Sequence, residues 1–315
     1  MGKVLILGNG FDLDLGFKTK YKDFLESKYF PSPEDSIIHG GLIEHIRHAS
    51  QIKQWFDLEN EIKNYAMNNQ EKDSSTLKEE FNCLSQKLNE YLKSLPYNTY
   101  EASSCACKLL KVLMESQSLE IFNFNYTPFE DIFFDIIKPN ISIKPNISIK
   151  HVHGTINDDN IIIGIEDEVE IPEAFCFLLK SHNKHYRSVN LGESLFKNDD
   201  IIFFGHSLGL TDYYYFSDFF LTQSGNIRSE NIVKKKIAIV TYNYESAENI
   251  LLQLRKMNNK STLRLFEKND LRIYCTKEKN SVTQFDSYLR DLRDDIKKEN
   301  LELARMRKKV GIRFK

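Results

Sequence analysis

Several things are scarce in this sequence, and each shortage removes a class of protein. The five cysteines (Cys83, Cys105, Cys107, Cys176 and Cys275) are odd in number and scattered. They suggest neither a disulfide framework nor paired zinc knuckles, and a reducing cytoplasm is the expected compartment. No apolar run reaches the ~18 residues of a membrane span. The first residues enter a strand-like run at once, without a small-residue cleavage site, so no signal peptide is expected. Neither charge sign is in excess: 43 Lys and Arg face 45 Asp and Glu, a formal net charge of −2. That balance argues against a protein coated for polyanions, while leaving room for a local basic patch. What is present is apolar material, 41% hydrophobic and 12% aromatic over 315 residues. This is enough for a sizeable core and too much for a disordered chain. The length suits one large or two modest domains.

Lys3-Val-Leu-Ile-Leu7 is a continuous apolar run ending at Gly8, the mark of a strand buried on both faces of a parallel sheet. Similar runs recur at Leu119–Phe122, Ile147–Val152, Ile161–Ile165, Ile201–Phe204, Ile237–Val240 and Leu271–Cys275. Helical patterns follow several of them, at Thr127–Ile137, Thr211–Leu221 and Glu245–Met257. Strands alternating with helices predict a doubly wound α/β layer with a mostly parallel, Rossmann-like sheet. The stretch 37–117 differs. It is strand-poor and carries helical spacing (Leu58, Ile62, Tyr65, Ala66; Phe81, Leu84, Leu88, Tyr91). It reads as a helical insertion of three or four helices packed on the sheet, with Pro31-Ser-Pro33 at its entrance. The expected division is thus 1–36 plus 118–280 as the nucleotide-binding layer, 37–117 as the insertion, and 281–315 as a C-terminal helix turning basic (Arg305, Arg307, Lys308, Lys309, Arg313, Lys315). Such a helix end is either a solvated face or a contact for nucleic acid or a partner subunit. Lys138-Pro-Asn-Ile-Ser-Ile143 is repeated at once as Lys144–Ile149, which lengthens the connection into the next strand.

The chemistry-bearing residues gather at strand ends. Gly8-Asn9-Gly10-Phe11-Asp12 follows the first strand, where glycines let the backbone approach a ligand and helix N–H groups attract phosphate. Leu13 stands where the dinucleotide fingerprint has its third glycine, so this is not an ordinary dehydrogenase loop. Thr19 is placed to cap the next helix, Lys20 to about Lys28, with Tyr21, Phe24 and Leu25 toward the core. Further on, Asn123 and Asn125 lie two apart and share one side of an extended strand, as do His151 and His153 before Gly154. Alternate histidines without a third ligand do not predict a metal, whereas a histidine at a strand end suits a base working near neutral pH. Gly205-His-Ser-Leu-Gly209 opens another helix, with Ser207, Thr211 and Asp212 available to ribose or phosphate. It superficially matches a nucleophile elbow, yet no histidine follows His206 to complete a hydrolase triad. Trp55, Asp57 and Glu59 open a helix, where acids suit the helix dipole. Alternatively, Glu59 reaches the crevice as a second acid or a gate.

Taken in order, Ile6-Leu-Gly-Asn-Gly-Phe-Asp-Leu13 with Thr19 and Tyr21, Trp55-x-Asp57-x-Glu59, Asn123-Phe-Asn-Tyr-Thr127, His151-Val-His-Gly154 and Gly205-His-Ser-Leu-Gly-x-x-Asp212 resemble the AbiH family of bacterial phage abortive-infection proteins. AbiH-like chains in turn look like distant members of the sirtuin-like NAD-binding fold. That resemblance implies NAD as substrate, with Gly8 and Gly10 cradling the pyrophosphate, Asn125 holding the ribose or the attacking water, and His153 as base. The implied binding set also includes Asn9, Phe11, Asp12, Asn123, Tyr126, Thr127, Gly154, Gly205, His206, Ser207 and Asp212. Thr127 replaces the usual aspartate and no zinc ribbon is present, which points away from protein deacetylation and toward simple NAD cleavage. No metal or redox cofactor is expected. The expected function is therefore an antiphage effector that hydrolyses NAD, alone, as a homo-oligomer or with a defence-system partner. The rivals are a non-catalytic nucleotide-sensing module and a nucleic-acid-directed toxin using the basic tail.

Overall fold

The computed structural model describes residues 2–32, 40–52, 57–137, 146–225 and 233–310. Six strands, β1 (Lys3–Leu7), β2 (Ser118–Asn123), β3 (Asn146–His151), β4 (Asp200–Phe204), β5 (Lys236–Thr241) and β6 (Asp270–Cys275), form one sheet in the order β3-β2-β1-β4-β5-β6. Every pairing is parallel. The fold is α/β and Rossmann-like, as the alternating pattern predicts. The central strands β1 and β4 are buried at every position, whereas the edge strand β3 alternates exposed and half-buried residues. That contrast is physical: a central parallel strand is covered by helices on both faces, and an edge strand is not. β2 pairs with β1 as Lys3↔Leu119 through Leu7↔Asn123, so Gly8, Phe124 and Gly205 all lie just past the same end of the sheet.

Twelve α-helices occur among the described residues: α1 (Asn9–Asp14), α2 (Tyr21–Leu25), α3 (Leu42–Ile52), α4 (Leu58–Asn68), α5 (Ser74–Lys93), α6 (Cys105–Leu113), α7 (Phe129–Ile137), α8 (Leu191–Lys197), α9 (Tyr213–Gln223), α10 (Tyr244–Met257), α11 (Thr262–Lys268) and α12 (Lys279–Val310). One sheet face, carrying Leu5, Leu7, Leu119, Ile121 and Phe204, packs on α1, α6, α7 and the first half of α12. The other, carrying Val4, Ile6, Phe122, Ile201 and Phe203, packs on α8 to α11. A third core joins α2 to α5 with the irregular segment after β3, through Ile156, Ile163, Phe175 and Leu178. The helix α6 belongs to the sheet's own core and α3 to α5 to the third.

Two expectations fail here. Ile161–Ile165 is not a sheet strand: Ile165 makes a single bridge with Leu179, and its neighbours turn into the third core. A short apolar run cannot say which core it will join. Thr19 does not cap α2. Its hydroxyl donates instead to Asn9 Oδ1 at 2.5 Å, and the backbone N–H of Lys20, the residue before the helix, donates to Asp23. Trp55, Pro33, the first copy of the repeat with Lys144 and Pro145, and residues 311–315 of the tail lie outside the described residues. Asn146–Ile149 of the second copy begins β3.

Candidate active site

The chain leaves β1 toward one side of the sheet and β4 toward the other, so their carboxyl ends form the crevice where open α/β sheets bind ligands. The two loops there touch one another. Gly8 N donates to Phe204 O at 3.0 Å, and Gly10 N donates to Gly205 O at 2.9 Å. A Cβ on Gly8 would stand 2.5 Å from His206 Cα, and one on Gly205, at φ +67°, 2.2 Å from Phe11 N. These glycines are required first by the contact of two backbones. Phe11 N is also engaged, by Gly8 O at 2.9 Å. The Gly8 and Gly10 amides expected to cradle a pyrophosphate therefore donate to β4 and the loop after it, and the Phe11 amide donates within its own loop. Asn9 stays exposed at the rim, tied to Thr19 between the exposed Lys18 and Lys20.

β2 ends at Asn123, and its Oδ1 accepts the N–H of Asn125 in a short turn. The Asn125 amide then donates to Gly8 O at 3.1 Å, tying β2 to the glycine loop. Asp12 lies buried beside it, with Oδ1 3.3 Å from the Thr127 hydroxyl and Oδ2 without a hydrogen-bond partner. Burial pushes the Asp12 carboxyl up to about 7, against the lowering bonds from Thr127 and Asn125. Tyr126 donates to Ile162 O at 3.2 Å.

The two histidines part company. β3 ends at His151, whose Nε2 lies 2.9 Å from both oxygens of Glu130 on α7 and whose Nδ1 faces Asn123 at 3.4 Å. The backbone then bends at Val152 and His153, and Gly154 follows at φ +76°, where a Cβ would sit 2.1 Å from Asn160 O. His153 consequently lands on the other side, edge-on to Phe124 at 5.3 Å and near Tyr215. The shared face inferred from their spacing holds only while a strand stays extended, and this one has ended.

Around His153 lies a buried ionic cluster. Its Nε2 is 3.0 Å from Asp212 Oδ1, while Nδ1, also buried, has no hydrogen-bond partner. Lys180 Nζ is 3.6 Å from Asp212 Oδ1 and 2.9 Å from Glu59 Oε2, and His206 Nε2 is 3.4 Å from Asp212 Oδ2. Asp57 caps α4 by accepting from Glu59 N and Asn60 N, which aims Glu59 from the helical layer into the cluster. Lys180, held charged by Glu59 and Asp212, and the two histidine bonds keep Asp212 ionised despite burial. Glu59 shares that ammonium, and burial together with the neighbouring Asp212 and Asp57 pushes it up to about 7. Burial first, then Lys180, pushes His153 below the usual imidazole range, so the ring is neutral at neutral pH. His206 Nδ1 accepts Leu208 N at 3.0 Å and holds that buried leucine at φ +52°. A non-glycine residue in this conformation stores strain of about 1–2 kcal/mol.

The family model described as Bacteriophage abortive infection AbiH matches residues 4–71 and 63–233. The chain belongs to the AbiH family. No curated protein matches the sequence. The matched spans hold every site residue described above, so this AbiH protein's function lies in phage abortive infection, and its buried cluster is part of what the family model covers. Asp212 and His206, expected at ribose or phosphate, have their polar atoms committed to His153, Lys180 and Leu208; Ser207 stays exposed. Lys180 is the residue the sequence reading missed. Its one signal is a lysine closing the apolar run Phe175-Cys-Phe-Leu-Leu179. Among the described residues, no group of three or more His, Cys, Asp and Glu is placed to hold a metal ion.

Proposed function

We propose that this AbiH-family protein acts in abortive infection by hydrolysing NAD to nicotinamide and ADP-ribose, with His153 as the base. The observation that carries the reading is the state of that ring: Nε2 fixed by an ionised carboxylate, Nδ1 buried and unpartnered. This is how a general base is prepared, since the orienting carboxylate selects the tautomer that leaves the other nitrogen's lone pair free. In the reaction, the bond between ribose C1′ and the nicotinamide nitrogen breaks with its electron pair passing to nitrogen, which discharges the ring. A water forms the new C1′–O bond and gives its proton to His153 Nδ1, from which it returns to solvent. Asn125, fixed through Gly8, is the residue beside the glycine loop that positions ribose or water. Phosphate charge falls to Lys18 and Lys20 at the rim, because the Gly8, Gly10 and Phe11 amides are spent. A single positioned base supplies ~10²–10⁴-fold, and orientation and charge stabilisation supply the rest.

The occupied loop amides and the near-complete burial of His153, Glu59 and Lys180 favour one rival, a nucleotide-sensing module that turns nothing over. Incubating purified protein with NAD and following free nicotinamide separates the two. Cleavage is expected, with His153→Ala and Asn125→Ala each lowering the rate by ~10²-fold or more. Intact NAD beside measurable NAD binding would leave the sensing module as the function. Equal turnover by His153→Ala would remove the base assignment.

A further inference from the structure

The net charge of −2 hides a separation. Residues 301–315 contain six Lys and Arg and one acid, which leaves 37 Lys and Arg against 44 Asp and Glu in the first 300 residues. The helix α12 carries that charge on the body as well. Its apolar stripe, Phe285, Leu289, Leu292 and Ile296, is buried in the sheet's core. Roughly a third of a turn around, Arg290, Arg293, Lys297 and Arg305 recur at spacings of three, four and eight residues and share one face. Arg290, Lys297 and Arg305 are exposed. At its start the face borders a groove of 230 Å³ between α6 and α12, into which Lys108 and Lys111 of α6 also project. The acids nearby are largely spent: Asp286 pairs with Lys108 at 2.9 Å and Glu115 with Arg293 at 2.9 Å. Lys111 and Arg290 make no ion pair among the described residues. From Arg290 to Arg305 the line runs about 22 Å at 1.5 Å per residue.

We propose that this face of α6 and α12 is a docking surface for the phosphodiester backbone of a nucleic acid. A small anion would be met by a cup of converging donors, whereas here the cations are strung in a line matching roughly six base pairs of duplex. A lipid surface would call for large apolar residues on the free face. On α12 the apolar stripe is committed to the core, and the free face offers Arg290, Lys297, Leu301 and Arg305, interrupted by Asp294. The surface is separate from the His153 cluster and does not rest on NAD hydrolysis.

Fluorescence anisotropy of the full-length protein with labelled duplex DNA, and in parallel with duplex RNA, tests it. At least one duplex should bind at low salt, with log K falling against log salt at a slope of about −4, as expected for four to five neutralised phosphates. The combined Arg290→Gln, Lys297→Gln and Arg305→Gln variant should lose more than ~10-fold in affinity and about 3 units of slope, with an unchanged circular dichroism spectrum. Failure of both duplexes to bind at ~50 mM salt overturns the proposal, as does a triple variant that binds like the parent. Preferential binding to phosphatidylserine vesicles overturns it in favour of a membrane surface.

Discussion

Lys3 and Lys180 are both buried, and each stands between two carboxylates, but at opposite ends of the sheet. Lys3 opens β1 and pairs with Asp200 at 2.8 Å and Glu299 at 3.1 Å, pinning α12 to the amino edge of β1 and β4. Lys180 sits beyond the carboxyl edge, between Glu59 and Asp212. Around Lys3 the two carboxylates and the ammonium join α12 to β1 and β4 in one structural joint. Around Lys180 a carboxyl near 7 in Glu59 and an unpartnered nitrogen on His153 remain. The same chemical device thus holds the fold at one end and, on the proposed reading, prepares a reaction at the other. Titratable groups perturbed by burial are enriched at functional sites, and structural ion-pair networks also contain them.

The largest expected effects set the two lysines against each other. Lys3→Met leaves two carboxylates facing an apolar site and should cost about 3–5 kcal/mol in urea unfolding, with normal NAD cleavage by the protein that stays folded. Lys180→Met should unfold less readily, because Glu59 can take up a proton near neutral pH. It should also lose NAD cleavage by about 100-fold as Asp212 and His153 lose their arrangement. Equal destabilisation with normal turnover in both variants would erase the distinction. A smaller effect concerns Asp12. Its folded value, about 7, lies above its ordinary 3.8, so its contribution to stability is fully present below about pH 4 and lost as pH rises through 7. Asp12→Asn should therefore melt with the parent at pH 4 and above it at pH 8, by up to about 4 kcal/mol. The smallest effect is at the rim. Replacing Lys18 and Lys20 together by Gln should raise KM for NAD about tenfold, or about 1.4 kcal/mol, with kcat and melting unchanged.

Much of the architecture was legible in the sequence because buried parallel strands leave continuous apolar runs. Lys3–Leu7 and Ile201–Phe204 were recognisable for that reason, and the helical spacing of Ile62, Tyr65, Leu84 and Leu88 marked the layer between β1 and β2. Ile161–Ile165 misled because four isoleucines fit a sheet or a helical core equally well. The strand ends carried the glycines, asparagines and histidines, but not their partners. His151 and His153 share a side in an extended chain, and the bend at Val152 and His153 separates them, one to Glu130 and one to Asp212. No local pattern records where a backbone turns after its last ladder bond.

The sequence by itself determined the sheet, its helices and the family, since those follow from periodicity and from motifs that lie along the chain. It also carried the basic tail behind a nearly neutral total. Only the tertiary structure decided which glycines serve backbone contact and which amides remain. It alone brought Lys180 from an irregular segment, Glu59 from the helical layer and Asp212 from the loop after β4 around one histidine. The physical reason is that burial and charge pairing are set by residues far apart in sequence, and a protonation state is a property of that meeting.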